Sequence, residues 1–414
     1  MLILYMHEKI GEGAYGCVHR PSLRCKDKNI DYENKISKLM MTNLGETEMR
    51  EYEKISKLDK DNEFFLGIPE MCVPEKTLCS LQAMKKCRTF NISNVDKYSL
   101  LILPDGGVSL SEFAESVAKL TNTKANRKYI EEFWIEGHRL LYGIKKMLEE
   151  EIVHHDLKAG NIVFNTKTKR LNFIDFGFMQ YISSVTKKLK KGTYKFSRPF
   201  WYFPFEISLL NRNTFLKLCR ASREKKDIYY QRMMQHKIRE TELHMKIFYE
   251  IVDDSKEFME ENMELFYDFF INIKEDEYDN YVNKMLHTID IYGIGIAYMS
   301  VLKNSGHLMN PVIYKELEEL FKSMVSASLE IRPNIDEVLK RYELILENTS
   351  ILTENNQYFI DNKLQKRDKL MDILYKSLKS RKLNKTLMKN IQNSEPKNIT
   401  VKKRKSRITR SDIF

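Results

Sequence analysis

The strongest constraint on this chain is a polar segment, H-H-D-L-K-A-G-N at residues 154–161, which directly follows two apolar residues. Asp156 in this segment can orient an attacking hydroxyl group and accept its proton. Lys158 can neutralise negative charge that develops on a group during its transfer. We therefore take Asp156 and Lys158 as the candidate catalytic residues.

A second polar cluster follows at a defined distance. Asn161 ends the first segment, and the sequence D-F-G begins fourteen residues later at Asp175, after the apolar stretch 171–174. Carboxylate and amide oxygens are the hard ligands that Mg²⁺ prefers, and a metal held there can bridge the phosphates of a nucleotide. Asn161 and Asp175 are therefore the candidate metal ligands, and the order and spacing of both clusters predict phosphoryl transfer.

A glycine-rich segment, I-G-E-G-A-Y-G-C-V, occupies residues 10–18 between two predicted strands. Glycines let a backbone approach phosphates closely, and Val18 can cover a purine ring. A dinucleotide-binding turn would also use glycines, but it requires a helix that starts at the loop, and here Pro21 and a strand-like sequence follow. The predicted nucleotide-binding residues of this segment are Ile10, Gly11, Gly13, Gly16 and Val18.

A lysine that contacts phosphates is expected on the next strand. Lys38 is the first choice because it would share the inward face of the strand with Ile36, and Lys35 is the alternative. Its partner should be a carboxylate on the following helix, predicted over residues 46–60. Glu51 fits best by the apolar face of that helix, and Glu48 is the alternative.

These motifs together resemble the eukaryotic-type protein kinase family, over residues 5 to about 349. Three later segments agree with the resemblance: W-Y-F-P-F-E at 201–206, D-I-Y-G-I-G at 290–295 and I-R-P at 331–333. In that family the arginine of the last segment, here Arg332, pairs with the glutamate of the first, here Glu206. More narrowly, G-E-G-A-Y-G-C-V-H-R-P-S-L-R-C and the Lys-, Asn- and Ile-rich composition resemble serine/threonine kinases of large nucleocytoplasmic DNA viruses.

The resemblance implies an α+β, bilobal, kinase-like fold. The small β-rich N-lobe is expected over residues 1–103 and the larger helical C-lobe over 104–349. A long helical insert at about 209–286 is more consistent with extra packing on the C-lobe than with a docking surface. Residues 350–414 are expected to form a basic and largely disordered tail.

The resemblance also implies the activity, which is transfer of the γ-phosphate of ATP to Ser or Thr hydroxyls of protein substrates, with Mg²⁺ or Mn²⁺. Lys158 after H-x-D-L is typical of the serine/threonine class. Two other classes compete with this interpretation. A pseudokinase scaffold usually loses the lysine or one of the two aspartates, and all three are present here. A small-molecule phosphotransferase lacks the Glu206/Arg332 pair.

Three positions depart from the family pattern. His155 replaces the arginine that in many kinases binds a phosphorylated activation loop, so we expect activity that does not depend strongly on loop phosphorylation. Ile36 replaces a small alanine and predicts a tighter nucleotide pocket. Phe205 replaces the proline of A-P-E. None of these changes removes a group that binds phosphate or metal.

The positive charge is concentrated at the C-terminus. Residues 363–414 contain 17 basic and 4 acidic side chains, whereas the rest of the chain contains 52 and 54. The tail contains the basic run K-K-R-K-S-R at 402–407, and three roles are compatible with it. It could be a solvated segment that keeps the protein soluble, or an autoinhibitory pseudosubstrate. It could also be a nuclear-import signal or a contact for nucleic acid or another polyanion. The oligomeric state is not predictable from the sequence.

Cysteine usage and hydropathy bear on the compartment. The six cysteines form no C-x-x-C pair, so reduced thiols are expected, while a disulfide or metal clip among the five that precede residue 90 stays open. The apolar residues 1–6 are too few for a signal sequence or a membrane span. We expect a cytoplasmic protein without membrane contact, in an infected host cell and the virion if it is viral, with nuclear import through the tail as an alternative.

Overall fold

The computed structural model describes five stretches of the chain and one further residue: 7–13, 16–88, 90–194, 202–234, 256–348 and Lys376. Apart from Lys376, the predicted disordered tail lies outside these described residues, and so does the tip of the glycine-rich loop. Within them, a small antiparallel sheet comes first and a larger helical part follows. The predicted α+β class, with a small β-rich part and a large helical part, is confirmed.

The described strands all end before residue 182, and most of the described helices follow them, which is typical of an α+β fold. The strands in the described stretches are β1 Glu8–Glu12, β2 Gly16–Arg20, β3 Lys35–Met41, β4 Glu70–Cys72, β5 Tyr98–Pro104, β6 Val108–Ser109, β7 Ile152–Val153, β8 Ile162–Asn165, β9 Arg170–Phe173 and β10 Gln180–Tyr181. The helices in the same stretches are α1 Thr42–Leu58, α2 Leu78–Met84, α3 Leu110–Val117, α4 Lys124–Glu149, α5 Ile182–Lys190, α6 Arg212–Cys219, α7 223–234, α8 Lys256–Asn272, α9 Tyr278–Ser305, α10 Pro311–Met324 and α11 Ile335–Asn348.

The N-terminal sheet has the order β1-β2-β3-β5-β4, and all its pairs are antiparallel. Side chains alternate along β3, because successive residues of a strand point to opposite faces. Leu39 belongs to a small apolar cluster on one face, whereas Ile36 and Met40 pack with the large core on the other. Lys38 therefore shares its face with Ile36, as the sequence predicted.

Two disulfides cross-link the N-terminal part, Cys17–Cys87 and Cys25–Cys72. The expectation of reduced thiols is wrong for these four cysteines, and the disulfide alternative is the observed one. The partners are 70 and 47 residues apart in sequence, so only the folded sheet brings them together. The free thiols in the described part of the chain are the exposed Cys79 and the half-buried Cys219.

The helical part is built around α4 and α9. Trp134 of α4 makes edge contact with Tyr298 of α9, and both side chains are fully buried. Within the described residues, one helical segment, Glu275–Leu308, is long and apolar enough to cross a membrane. Its most apolar window is 94% buried inside the fold, which is the situation of a core helix.

The described part of the predicted insert contains α6, α7, α8 and the beginning of α9, and it is packed onto the helical core. Phe266 of α8 is fully buried and stacks on Phe205 with ring centres 5.9 Å apart. Asn262 Oδ1 accepts a 2.7 Å hydrogen bond from the backbone N–H of Ala327. Asp290 lies in the middle of α9, because the end of the insert forms the first part of this helix.

Candidate active site

Lys38 is paired with Glu48. The Lys38 Nζ donates hydrogen bonds of 2.8 and 2.7 Å to the two carboxylate oxygens of Glu48. The prediction of Glu51 as the partner is wrong, since Glu51 instead accepts from Lys54 on the same helix. The inward face of α1 passes through Glu48 and Tyr52. Glu51 is turned about 60° from Glu48 around the helix, and Ile55 belongs to both the observed and the predicted face.

Asp175 of the D-F-G segment faces the same lysine. Its Oδ1 lies 3.4 Å from Lys38 Nζ, and its backbone is left-handed with φ of 62°. Burial opposes ionisation of the Asp175 carboxyl, but Lys38 and His154 outweigh burial and hold its pKa below the usual value. The carboxylate is therefore ionised, which is the form that a metal ion binds.

The charge of Lys38 is also fixed by its surroundings. Burial alone would lower the pKa of Lys38, but Asp175 and Glu48 outweigh it and raise the pKa. Burial raises the pKa of Glu48, and Lys38 offsets this only in part because Asp175 is also near. Since two carboxylates surround one ammonium group, the positive charge of Lys38 is the most strongly stabilised charge in this cluster.

Phe176 points away from the site into the core. Its ring makes edge contact with Tyr52 of α1, with ring centres 5.5 Å apart, and lies 5.2 Å from the ring of His154. His154 also contacts the backbone carbonyl of Ile174 through Nε2 at 3.2 Å. These contacts connect α1, the catalytic segment and D-F-G, so the position of Glu48 depends on that of Phe176.

Asp156 is held on several sides. The amide nitrogen of Asn161 donates 2.8 Å hydrogen bonds to both the backbone carbonyl and Oδ2 of Asp156. Lys158 Nζ donates to the same Oδ2 over 3.0 Å. The hydroxyl of Tyr202 donates to Oδ1 over 2.6 Å. The structure thus brings both predicted catalytic residues together with one predicted metal ligand.

Asp290 supports the backbone of this segment. Its carboxylate accepts hydrogen bonds of 2.7 and 2.9 Å from the backbone N–H groups of His154 and His155. His155 has a φ of 71°, a conformation that persists only where its surroundings fix it. Gly293, one turn further along α9, is required because a Cβ there would lie 2.4 Å from the carbonyl oxygen of Leu157.

The His155 ring is buried and stacks on Tyr194, whose hydroxyl lies 3.2 Å from Nε2. Burial lowers the pKa of His155 to about 4, and the nearby Asp156 offsets this only partly. The imidazole is therefore neutral at physiological pH. A neutral ring cannot replace arginine as a binding group for a phosphorylated loop residue.

The glycine-rich segment forms the turn between β1 and β2, and the Gly13 N–H donates to the Gly16 carbonyl over 2.9 Å. Among the described residues, packing requires one of its three glycines. A Cβ at Gly16 would lie 2.5 Å from the carbonyl oxygen of Leu39, whereas a Cβ at Gly11 or Gly13 would meet no described atom within 4 Å. The open space beside Gly11 and Gly13 suits a phosphate chain. Ile10 and Val18 lie on β1 and β2, and Val18 pairs with Lys38.

Glu206 and Arg332 form the predicted ion pair, with Nη2 and Oε1 2.6 Å apart and both side chains buried. Arg332 also donates hydrogen bonds of 3.0 and 2.6 Å to the Ser326 carbonyl. The hydroxyl of Tyr281 donates to the Glu206 carbonyl. The pair joins the segment that follows Tyr202 to the last helices of the fold, and the prediction made from the sequence is confirmed.

The donor set fits ATP with Mg²⁺ or Mn²⁺. Because the amide nitrogen of Asn161 bonds to Asp156, its amide oxygen is the atom offered to a cation. The ionised Asp175 supplies a second hard oxygen ligand. Lys38 supplies a fixed positive charge for the phosphates.

Residues 106–194 match the family described as the ABC1 atypical kinase-like domain. This stretch begins at the linker after β5 and includes Asp156, Asn161 and Asp175. The chain contains a protein-kinase-like domain. A further 24% identity over 197 residues, 47% of this chain, relates it to the titin homolog of Caenorhabditis elegans. The chain spans about 1% of the length of that relative.

One contact of the active-site residues was not predicted from the sequence, and another was predicted only as the alternative. The hydrogen bond from Tyr202 to Asp156 joins residues 46 positions apart, and no local pattern marks it. The role of Glu48 could have been found by testing each helical face, since Glu48 was the stated alternative. Trp201, next to Tyr202, lies outside the described residues.

Outside the active site, Cys17, His19 and Cys87 form a buried group in the kinase-like domain, with possible ligand atoms within 4.8 Å of one another. The two sulfur atoms are bonded to each other, and His19 Nε2 lies 3.2 Å from the Ala83 carbonyl. Since metals bind thiolates rather than disulfide sulfur, we assign no metal to this group.

Proposed function

We propose that this kinase-like domain is an ATP-dependent serine/threonine protein kinase. The observation that carries the proposal is the position of Lys38, whose Nζ lies 2.7 Å from Glu48 and 3.4 Å from Asp175. One cation thus connects β3 and the adjacent helix α1 with D-F-G, which follows Lys38 by 137 residues. Phosphoryl transfer depends mainly on positioning and electrostatic stabilisation, and this arrangement supplies both.

In the proposed mechanism, Gly11, Gly13 and Gly16 cover the phosphates of ATP, and Lys38 orients them. Asp156 accepts the proton of the attacking hydroxyl group, and Lys158 stabilises the charge on the transferred phosphoryl group. Asn161 and Asp175 would hold Mg²⁺, which when bound neutralises charge on the phosphates.

Two observations favour a protein substrate with Ser or Thr. Lys158 lies 3.0 Å from Asp156, where it can contact the phosphoryl group, and it is the residue typical of the serine/threonine class. The buried Glu206–Arg332 pair anchors the segment after Tyr202 beside the catalytic residues, which is where a peptide would bind. The narrower similarity to viral kinases stays part of this proposal.

A second candidate function is phosphorylation of a small molecule. The match of residues 106–194 to an atypical kinase-like family favours it, because that match does not specify a protein substrate. A coupled ADP assay with Ser, Thr and Tyr peptides in one arm and small alcohols in the other distinguishes the two. Turnover only with small alcohols would exclude the protein kinase proposal.

The decisive experiment measures transfer of labelled phosphate from ATP to a peptide array. We expect Asp156→Asn to lower kcat by about 10²–10⁴ while ATP binding is nearly unchanged. Asp175→Asn should lose Mg²⁺-dependent ATP binding. The control is Asp276→Asn, an exposed carboxylate outside the site. Wild-type turnover by both active-site variants would refute the kinase proposal.

Partners and localisation belong to the same proposal. Protein substrates bind at the segment after Tyr202, and the basic tail contacts nucleic acid or another polyanion. We propose the cytoplasm as the place of action, with entry into the nucleus through the tail as the alternative. The two disulfides do not support this compartment, because disulfides are rare in a reducing cytosol. Apart from Lys376, the tail lies outside the described residues, so the support for its role is the charge distribution of the sequence.

A further inference from the structure

Tyr202 lies where an acceptor hydroxyl group is needed. Its hydroxyl donates a 2.6 Å hydrogen bond to Asp156 Oδ1, and Lys158 Nζ donates to the same hydroxyl oxygen over 3.2 Å. Lys158 Nζ also lies 4.8 Å from the centre of the tyrosine ring, and the side chain is buried. The phenol is held between the residue that accepts a proton and the residue that stabilises transferred charge.

The two carboxylate oxygens of Asp156 have different partners. Asn161 and Lys158 donate to Oδ2 over 2.8 and 3.0 Å. These bonds fix the orientation of the carboxylate and leave Oδ1 for the proton of an acceptor. The hydroxyl of Tyr202 bonds to Oδ1, so its contact is the one that an attacking hydroxyl group would make.

The backbone next to Tyr202 is fixed by packing and by an ion pair. Glu206, four residues later, forms the buried ion pair with Arg332, and the Phe205–Leu209 turn packs into the core. A hydroxyl group held beside its proton acceptor within one molecule reacts as if at a very high local concentration, because the entropy of encounter is already lost.

We propose that Tyr202 is a self-phosphorylation site of this chain, an activity toward a phenolic hydroxyl that rests on the proposed kinase function. The proton of the Tyr202 hydroxyl passes to Asp156, and the phenolic oxygen forms a bond to the γ-phosphorus of ATP. The bond between that phosphorus and the β,γ-bridging oxygen breaks, and ADP leaves. The products are ADP and phosphotyrosine at position 202.

The test uses the full chain, treated with phosphatase, freed of it and then incubated with ATP and Mg²⁺. Tandem mass spectrometry locates the phosphate, and we expect it on Tyr202. The first-order rate should stay constant over a hundredfold dilution, because the transfer is intramolecular. Asp156→Asn should lower that rate by at least about a hundredfold.

Two tyrosine variants complete the test. Tyr202→Phe should remove the phosphotyrosine, whereas Tyr181→Phe, which alters an exposed tyrosine of β10, should leave Tyr202 labelling within about twofold. A wild-type chain that phosphorylates Ser or Thr peptides but leaves Tyr202 unmodified would overturn this inference and leave the proposed function intact. Labelling of neither would overturn both. If Tyr202 is unmodified and Tyr202→Phe lowers kcat on peptides, Tyr202 is a positioning residue for Asp156 and the inference is wrong.

Discussion

At the residue scale, Glu48 and Glu51 form a matched pair on one helix. Glu48→Gln removes the charged partner that lies 2.7 Å from Lys38, whereas Glu51→Gln alters only a contact with Lys54. A hydrogen bond to a charged group contributes about 1.5–3 kcal/mol, so Glu48→Gln should lower kcat/KM for ATP by roughly tenfold to a hundredfold. Glu51→Gln should stay within about twofold.

Steady-state kinetics with varied ATP, at saturating peptide, measures both variants. Circular dichroism and the unfolding midpoint control for loss of α1. A larger effect of Glu51→Gln than of Glu48→Gln would contradict the observed pairing and restore the partner predicted from the sequence.

His155 makes stability depend on pH. Its pKa is about 4 in the folded chain, because of burial, and about 6.5 when unfolded. As pH falls below about 6.5, the unfolded chain binds a proton that the folded chain does not, so stability is lost until pH reaches about 4. Each pH unit in this window costs about 1.4 kcal/mol.

Urea unfolding at pH 7.5 and pH 5.0 tests this effect. The wild type should lose about 2 kcal/mol more than His155→Gln between these two pH values, since glutamine does not titrate. The comparison cancels the other titrating groups, including the buried His19. An equal loss in both proteins would show that His155 is protonated or exposed in the folded chain.

At the element scale, periodicity predicted much of the fold. The two strands predicted on either side of the glycine-rich segment correspond to β1 and β2, and the strand predicted for Lys38 corresponds to β3. The helix predicted over residues 46–60 corresponds to α1. These predictions succeed because a strand or helix leaves a local pattern of burial in its sequence.

The partner of Lys38 on α1 could not be fixed in the same way. Glu48 and Glu51 are three residues apart, so their side chains differ by only about 60° around the helix, and the apolar residue Ile55 lies between them. Which face turns inward depends on Phe176, more than a hundred residues away, against which Tyr52 packs. Contacts between residues that are far apart in sequence produce no periodic pattern, and the contact of Tyr202 with Asp156, 46 residues apart, is another example.

The Glu206–Arg332 pair joins the Phe205–Leu209 turn to the loop before α11, and both side chains are buried. Arg332→Met should destabilise the fold by about 3–5 kcal/mol, because it leaves an unpaired buried carboxylate. The double variant Glu206→Gln with Arg332→Met should recover more than half of that loss. Denaturant unfolding measures each variant.

The exposed pair Lys284–Glu330 is the matched control. Lys284→Met should change the free energy of unfolding by less than about 1 kcal/mol, since water screens an exposed ion pair. A comparable loss at both sites would mean that burial of the Glu206–Arg332 pair does not determine its effect.

At the scale of the whole molecule, charge divides the chain. The tail from residue 363 onward contains 17 basic and 4 acidic residues. If it engages about six phosphates of duplex DNA, the log–log slope of affinity against salt should be near −5, without sequence preference. Fluorescence anisotropy with two unrelated duplexes measures this slope.

Deletion of residues 363–414 should remove that binding and leave peptide phosphorylation within about threefold, because every proposed catalytic group lies before residue 207. Binding that survives deletion and is insensitive to salt would place the nucleic-acid site on the folded part. An increase in activity on deletion would identify the tail as autoinhibitory.

The free energy of unfolding depends on whether the two disulfides are oxidised or reduced. Cys17–Cys87 and Cys25–Cys72 close loops of 70 and 47 residues, and restriction of the denatured ensemble by such loops contributes about 4 kcal/mol each. Dithiothreitol should therefore lower the unfolding midpoint of the wild type, with the same shift in Cys79→Ser, which retains both bonds. A chain synthesised in a reducing compartment and later exposed to oxidant would thus gain stability after it has folded, and its lifetime would depend on where in the cell it is kept.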